Sequence, residues 1–136
     1  MSLFRLTKAP EIEPLIRGDG LYLRPAVAGD FSAWAQLRAE SRAFLTPWEP
    51  TWPDDDLTRA AFRRRLRRQV EDMTRDESFA FLIFSAATEA MLGGLTLGGI
   101  RRGVAQAATL GYWMGAPHAG AGYMTRAVAA ATRIGN

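Results

Sequence analysis

The residues best suited to do chemistry lie in one stretch, Gly111-Tyr112-Trp113-Met114-Gly115-Ala116-Pro117-His118-Ala119-Gly120-Ala121-Gly122-Tyr123-Met124. Its pattern predicts the end of a strand, a glycine-rich turn and a helix over Tyr123 to Arg133. Glycines at 120 and 122 carry no Cβ, so the backbone there can come close to a ligand. A helix opening leaves N–H groups without intrahelical partners and concentrates the positive end of the dipole. Together these features suit a phosphate. A plain helix-opening turn is the alternative reading of the same glycines. His118, the single histidine of the chain, reads as a surface residue beside the turn rather than a catalytic one.

Charge supports the phosphate reading by its distribution. Net charge is +3, and of the 17 basic residues all but Lys8 are arginine. Glu89 is the last acidic residue, so 90–136 carries Arg101, Arg102, Arg126 and Arg133 with no carboxylate. Such a half suits a polyanionic ligand. A second basic cluster, Arg63, Arg64, Arg65, Arg67 and Arg68, could grip nucleic-acid phosphates. No aromatic residues interleave with it, and no helix-turn-helix or zinc pattern is present. It reads instead as a solvated face paired with Glu71, Asp72 and the Asp54-Asp55-Asp56 run, with a basic RNA-binding module as the rival. Absence of cysteine excludes disulfides, thiolate metal sites and a cysteine nucleophile. No metal site is expected.

These residues need elements to position them. A chain of 136 residues, 48% apolar and 23% charged, has the composition of one globular domain. No apolar run approaches the roughly 18–20 residues of a membrane span, and Met1 to Pro10 has no secretory core; the cytoplasm is the default compartment. Residues 1–20 are expected to be an arm and 21–136 the domain. Leu21 to Arg24 predicts a short strand. Asp30 predicts the N-cap of a helix from Phe31 to about Ser41, with Phe31, Trp34 and Leu37 inward. Phe44 to Pro53, rich in proline and tryptophan, predicts a loop. Asp54 to Asp56 then opens a helix over about Leu57 to Thr74, with Phe62, Leu66, Val70 and Met73 as its apolar stripe. Phe79–Ser85, Met91–Ile100 and Gln106–Met114 predict an antiparallel meander.

This order resembles the GCN5-related N-acetyltransferase (GNAT) superfamily, and within it the RimJ/RimL type of ribosomal-protein alanine N-acetyltransferase. Leu23-Arg24-Pro25-Ala26 with Asp30 is similar to the family's opening strand and turn. Ser41-Arg42 and Leu45-Thr46-Pro47-Trp48-Glu49-Pro50 resemble the subgroup's loop between its first two helices. Gly111 to Met114 with Ala119 to Met124 resembles the acyl-CoA motif of Arg or Gln, two residues, Gly, one residue, then Gly or Ala. Here Ala119 stands at the Arg or Gln position and Met124 at the last.

The resemblance implies an α/β GNAT fold, a mixed and mostly antiparallel sheet flanked by helices. It implies acetyl transfer from acetyl-CoA to a primary amine, above all a protein N-terminus. Tyr112, Trp113, Met114, Ala119, Gly120, Ala121, Gly122, Tyr123 and Met124 would bind the cofactor. Trp48, Glu49 and Trp52 would line the acceptor groove. No catalytic base is assigned: Glu49, Glu40 and a water relay stay open. A complete family member continues with a strand, a helix and a closing strand pair, on the order of 40 residues more. Without them, the resemblance implies a domain incomplete at its C-terminus, with an exposed Gln106–Met114 edge open to self-association and a noncatalytic CoA-binding fragment as the alternative.

Overall fold

A computed structural model describes residues 15–49, 52, 55–75, 77–98 and 109–134. Among the described residues five strands form one sheet in sequence order: β1 Ile16–Arg17, β2 Leu21–Arg24, β3 Ser78–Ser85, β4 Met91–Gly98 and β5 Thr109–Met114. Every described pairing is antiparallel. The helices are α1 Phe31–Glu40, α2 Arg42–Leu45, α3 Arg59–Thr74 and α4 Tyr123–Ile134.

Both faces of the sheet are covered, which explains why β3 reads as an unbroken apolar run rather than an alternation. Phe81 and Ile83 point to one face with Leu21, Leu23, Leu92 and Leu95, under Ala127, Ala130 and Ala131 of α4. Leu82 and Phe84 point to the other with Met91, under Trp34 and Leu37 of α1 and Phe62 of α3. The alanine face lets α4 lie close to the sheet. A Cβ at Gly18 would stand 3.0 Å from that of Ala130. In β4 the register skips Leu92, since Phe84 pairs with Met91 and Ile83 with Gly93, so a bulge bends the strand beside β5.

Several sequence expectations change in detail. Ile16 and Arg17 belong to the sheet, opposite Leu23 and Tyr22; residues 1–14 lie outside the described part. Asp30 precedes α1 but makes no side-chain cap. Its buried carboxylate instead accepts both Nη atoms of Arg24, at 2.8 and 2.9 Å, and the Val27 amide at 2.8 Å. That hydrogen bonding holds the Arg24 guanidinium above its ordinary pKa. The region from Phe44 is more ordered than its prolines suggest: α2 ends at Leu45 and a 3-10 turn spans Thr46–Trp48. Pro47 fits because a first-turn residue needs no N–H partner.

Helix α3 starts at Arg59, with the Thr58 hydroxyl accepting the Ala61 amide at 3.2 Å. Asp55 and Asp56 therefore precede the helix and reach forward to Arg64 and Arg65, at 3.0 and 3.5 Å. Val70 is 57% exposed, so the expected stripe is narrower than its spacing implied. The end of the expected Met91–Ile100 strand and the start of the last strand at Gln106 lie outside the described residues.

Candidate functional site

Beyond β5 the backbone is held from two sides before it reaches α4. The Gly115 amide donates to the Leu92 carbonyl at 2.8 Å. A Cβ at Gly115 would lie 2.5 Å from Leu37 Cδ1, so only glycine fits against α1 there. The next amide, of Ala116, donates to the Ser41 hydroxyl at 2.8 Å. A 3-10 turn over Ala116–His118 follows, closed by His118 N to Gly115 O at 2.9 Å.

Gly120 and Gly122 both have positive φ, +82° and +81°. No atom lies within 4 Å of a Cβ built at either position, so the backbone conformation and not crowding demands glycine. Among the described residues no hydrogen bond is made by the amides of Gly120, Ala121 or Gly122, and the first amides of α4 are the unpaired ones of any helix opening. The acceptor side of this turn is occupied by Arg126. Its Nε donates to Gly122 O at 3.4 Å and its Nη2 to Ala121 O at 3.5 Å, with the guanidinium 4.8 Å from the Tyr123 ring centre. Carbonyls are thus capped by a cation while donors stay free. The spacing Tyr123 to Arg126 on a helix could have signalled that contact in the sequence.

An open cavity of about 280 Å³ lies at this turn. Met114, Ala119, Gly120, Gly122, Tyr123 and Met124 line it, joined by His118 and Thr125. Of the expected cofactor residues, three stand apart. Ala121 is exposed outside the lining, Tyr112 is 60% exposed on the outermost of the described strands, and Trp113 points to the opposite sheet face.

On that opposite face the expected acceptor loop is built around Arg38, which sequence reasoning had not singled out. Its guanidinium grips Glu49 through two bonds of 3.1 Å. It also lies 4.4 Å from the Trp52 ring centre and 4.9 Å from that of Trp113. Trp52 Nε1 donates to the same carboxylate at 2.8 Å. Glu49 therefore accepts three hydrogen bonds, an anchor for the loop rather than a free base. Glu40, the other open candidate, accepts Gln36 Nε2 at 3.1 Å on the solvent side of α1. The side chain of Trp48 lies outside the described part.

A second, smaller cavity of about 100 Å³ opens on this face, with Trp34, Phe62, Arg65, Gln69, Thr96 and Trp113 among its walls. Its floor depends on Gly94, opposite Trp113 in the sheet. A Cβ there would meet Trp113 Nε1 at 2.4 Å. Burial pulls the Arg65 guanidinium below the usual arginine pKa, Asp56 opposing. Among the described residues, no group of three His, Cys, Asp or Glu side chains is placed to hold a metal ion. None of the described helices is long and apolar enough to cross a membrane.

The acetyltransferase (GNAT) domain family matches residues 20–136. The chain belongs to that family. A probable N-acetyltransferase of Bacillus subtilis (strain 168), YjcK, is 32% identical over 114 residues, 84% of this chain and 63% of the relative. The [ribosomal protein uS5]-alanine N-acetyltransferase of Escherichia coli (strain K12) is 32% identical over 106 residues, 76% of this chain and 55% of the relative. The chain thus spans roughly three fifths of these curated relatives. Among solved structures, Mycobacterium smegmatis RimJ in complex with CoA-disulfide has the same fold, with a TM-score of 0.76 at 24% identity over 91% of this chain and 61% of that one. The α/β GNAT fold expected from the sequence is the one observed, with a wholly antiparallel described sheet.

Proposed function

We propose that this chain forms the acetyl-CoA-binding part of an N-acetyltransferase. Its acceptor is a primary amine, the N-terminal α-amine of a protein, with ribosomal proteins as the class that the uS5-alanine relative suggests. Such an enzyme would work in the cytoplasm. The observation that carries the reading is the turn before α4: two left-handed glycines, unpaired amides and a helix opening around one cavity. Amides from Gly120 to Tyr123 would cradle the diphosphate of CoA, with Met124 beside them. The Ala119 amide, expected among them, instead donates to Ala116 O at 3.3 Å and leaves Ala119 as a wall of the cavity. The RimJ structure of like fold holds a CoA derivative, which supports this reading.

Chemistry at such a site needs a neutral amine, a polarised thioester carbonyl and a protonated leaving thiolate. Direct attack by the amine requires no enzyme nucleophile, in keeping with a chain that has no cysteine. The outer edge of β5 at Tyr112, Trp113 and Met114 would pair with the pantetheine amides by strand addition. A backbone N–H near Trp113 or Met114 would polarise the carbonyl. Trp48, Glu49 and Trp52 would wall the acceptor side, with Arg38 fixing the loop. Isothermal titration with acetyl-CoA tests the binding, and mass spectrometry of peptides incubated with acetyl-CoA tests the transfer. A chain that gives no heat with acetyl-CoA at millimolar concentration would sink the reading.

One observation favours a second reading, a noncatalytic chain that binds CoA or associates with itself. Strand β5 is outermost among the described strands, and such an edge can pair with another chain. Light scattering that rises to dimer mass with concentration supports it; a monomer throughout speaks against it.

A further inference from the structure

The smaller cavity holds a guanidinium, that of Arg65, with few polar partners among the described residues. Arg65 carries five N–H donors. Its ion pair among the described residues is with Asp56 at 3.5 Å, long for a charge-assisted bond. The guanidinium lies 5.0 Å from the Trp34 ring centre, over the apolar wall. Glu49, the other carboxylate in range, is committed to Arg38 and Trp52. Arg38 and Arg68 add charge of the same sign around Arg65. Among the described residues this half-buried cation thus has one carboxylate beside it, at a long 3.5 Å, and donors left over for a second anion.

We propose that this cavity is the acceptor subsite and takes an amine whose molecule also carries a carboxylate, bound by Arg65 between Trp34 and Trp113. The word acceptor rests on the acetyl-transfer reading above; the carboxylate site stands on its own geometry. A planar fork matches a carboxylate in two-pronged fashion. Gln69 and Thr96, also in the walls, supply further donors. Asp56 beside Arg65 disfavours a dianion such as phosphate more than a monoanion. The carboxylate could belong to an acidic residue next to a peptide N-terminus or to a free amino acid.

The test uses the full chain and its intrinsic tryptophan fluorescence, since Trp34 and Trp113 line the cavity. A C-terminally amidated Ala-Asp peptide, its equally amidated Ala-Asn counterpart and free glutamate are titrated with and without acetyl-CoA. The acidic peptide is expected to bind roughly tenfold more tightly than the amide, the scale of a hydrogen bond to a charged group. Glutamate that competes with it identifies free amino acids as sufficient; a glutamate that does not compete assigns the site to peptides. R65Q is expected to erase the preference and R65K to keep part of it, which separates lost recognition from lost folding. Equal binding of acid and amide, no binding of either, or a preference that survives in R65Q overturns the proposal. Acetyl-CoA binding without a charge preference removes this inference alone. A charge preference without acetyl-CoA binding removes the acetyl-transfer reading alone.

Discussion

The Ser41 hydroxyl accepts the Ala116 amide across 75 residues of sequence, at 2.8 Å. Ser41 is fully buried at the junction of α1 and α2. This one bond couples the helix pair on one sheet face to the turn that leads into α4 on the other. Ser41→Ala leaves a partly buried N–H without its acceptor, which costs about 1 kcal/mol, the low end for an unsatisfied donor. The expected outcome is a lower melting temperature together with weaker acetyl-CoA binding, because the turn loses its fixed start. Unchanged values of both in calorimetry would show that the bond does not position the site.

Gly120 and Gly122 separate backbone strain from steric clash. Alanine meets no atom within 4 Å at either position, so any penalty comes from φ alone. Forcing a β-carbon into the left-handed region costs about 1–2 kcal/mol. Gly122→Ala should therefore weaken acetyl-CoA binding about tenfold if the strain is relieved by rotating the turn away from the ligand. Gly122→Asn, which tolerates that region better, should retain more affinity. Equal affinity of all three forms in titration calorimetry would remove the turn from the binding site.

Much of this arrangement could be read from local pattern. The glycine turn and α4 were legible because a change of period and two glycines mark a strand-to-helix passage. The meander was legible from its apolar runs. What escaped was long-range. Arg38 sits mid-helix in α1 with nothing nearby in sequence to announce a partner, and Glu49 lies 11 residues away. Asp30 had the right type and place for an N-cap, but the Arg24 guanidinium offers its carboxylate two charge-assisted bonds, stronger than one backbone donor. Val70 fitted the helical stripe of α3, yet it stands more than half exposed, because periodicity reports a face and not how far the covering sheet extends.

The Arg38–Glu49 pair offers a measurement of coupling. Arg38 is 7% exposed and its Nε has no hydrogen-bond partner among the described residues, so the fork to Glu49 carries its compensation. Removing one member of a buried pair leaves the other uncompensated and costs about 3–5 kcal/mol. Glu49 is partly open to solvent, so a cost nearer about 2 kcal/mol is expected for Glu49→Gln. Arg38→Met should cost at least as much, and the double variant should be less destabilised than the sum of the two. Additive effects in denaturant melts would mean that the two charges are independent.

Gly94 leaves room for the Trp113 indole against β4. The indole lies flat over a position where a β-carbon would come 2.4 Å from Nε1 and 3.1 Å from Cδ1. Gly94→Ala must therefore push the ring off β4, and the direction open to it is the cavity that both residues line. Overpacking of this kind costs about 1–3 kcal/mol, and the displaced ring fills the space beside Arg65. Tryptophan emission should shift and the melting temperature fall. Acetyl-CoA binding, proposed for the glycine turn on the far side of the sheet, should persist, while binding of acceptor peptides is lost. A variant that loses acetyl-CoA and peptides together, with its fold intact by circular dichroism, would show that the two cavities act as one site.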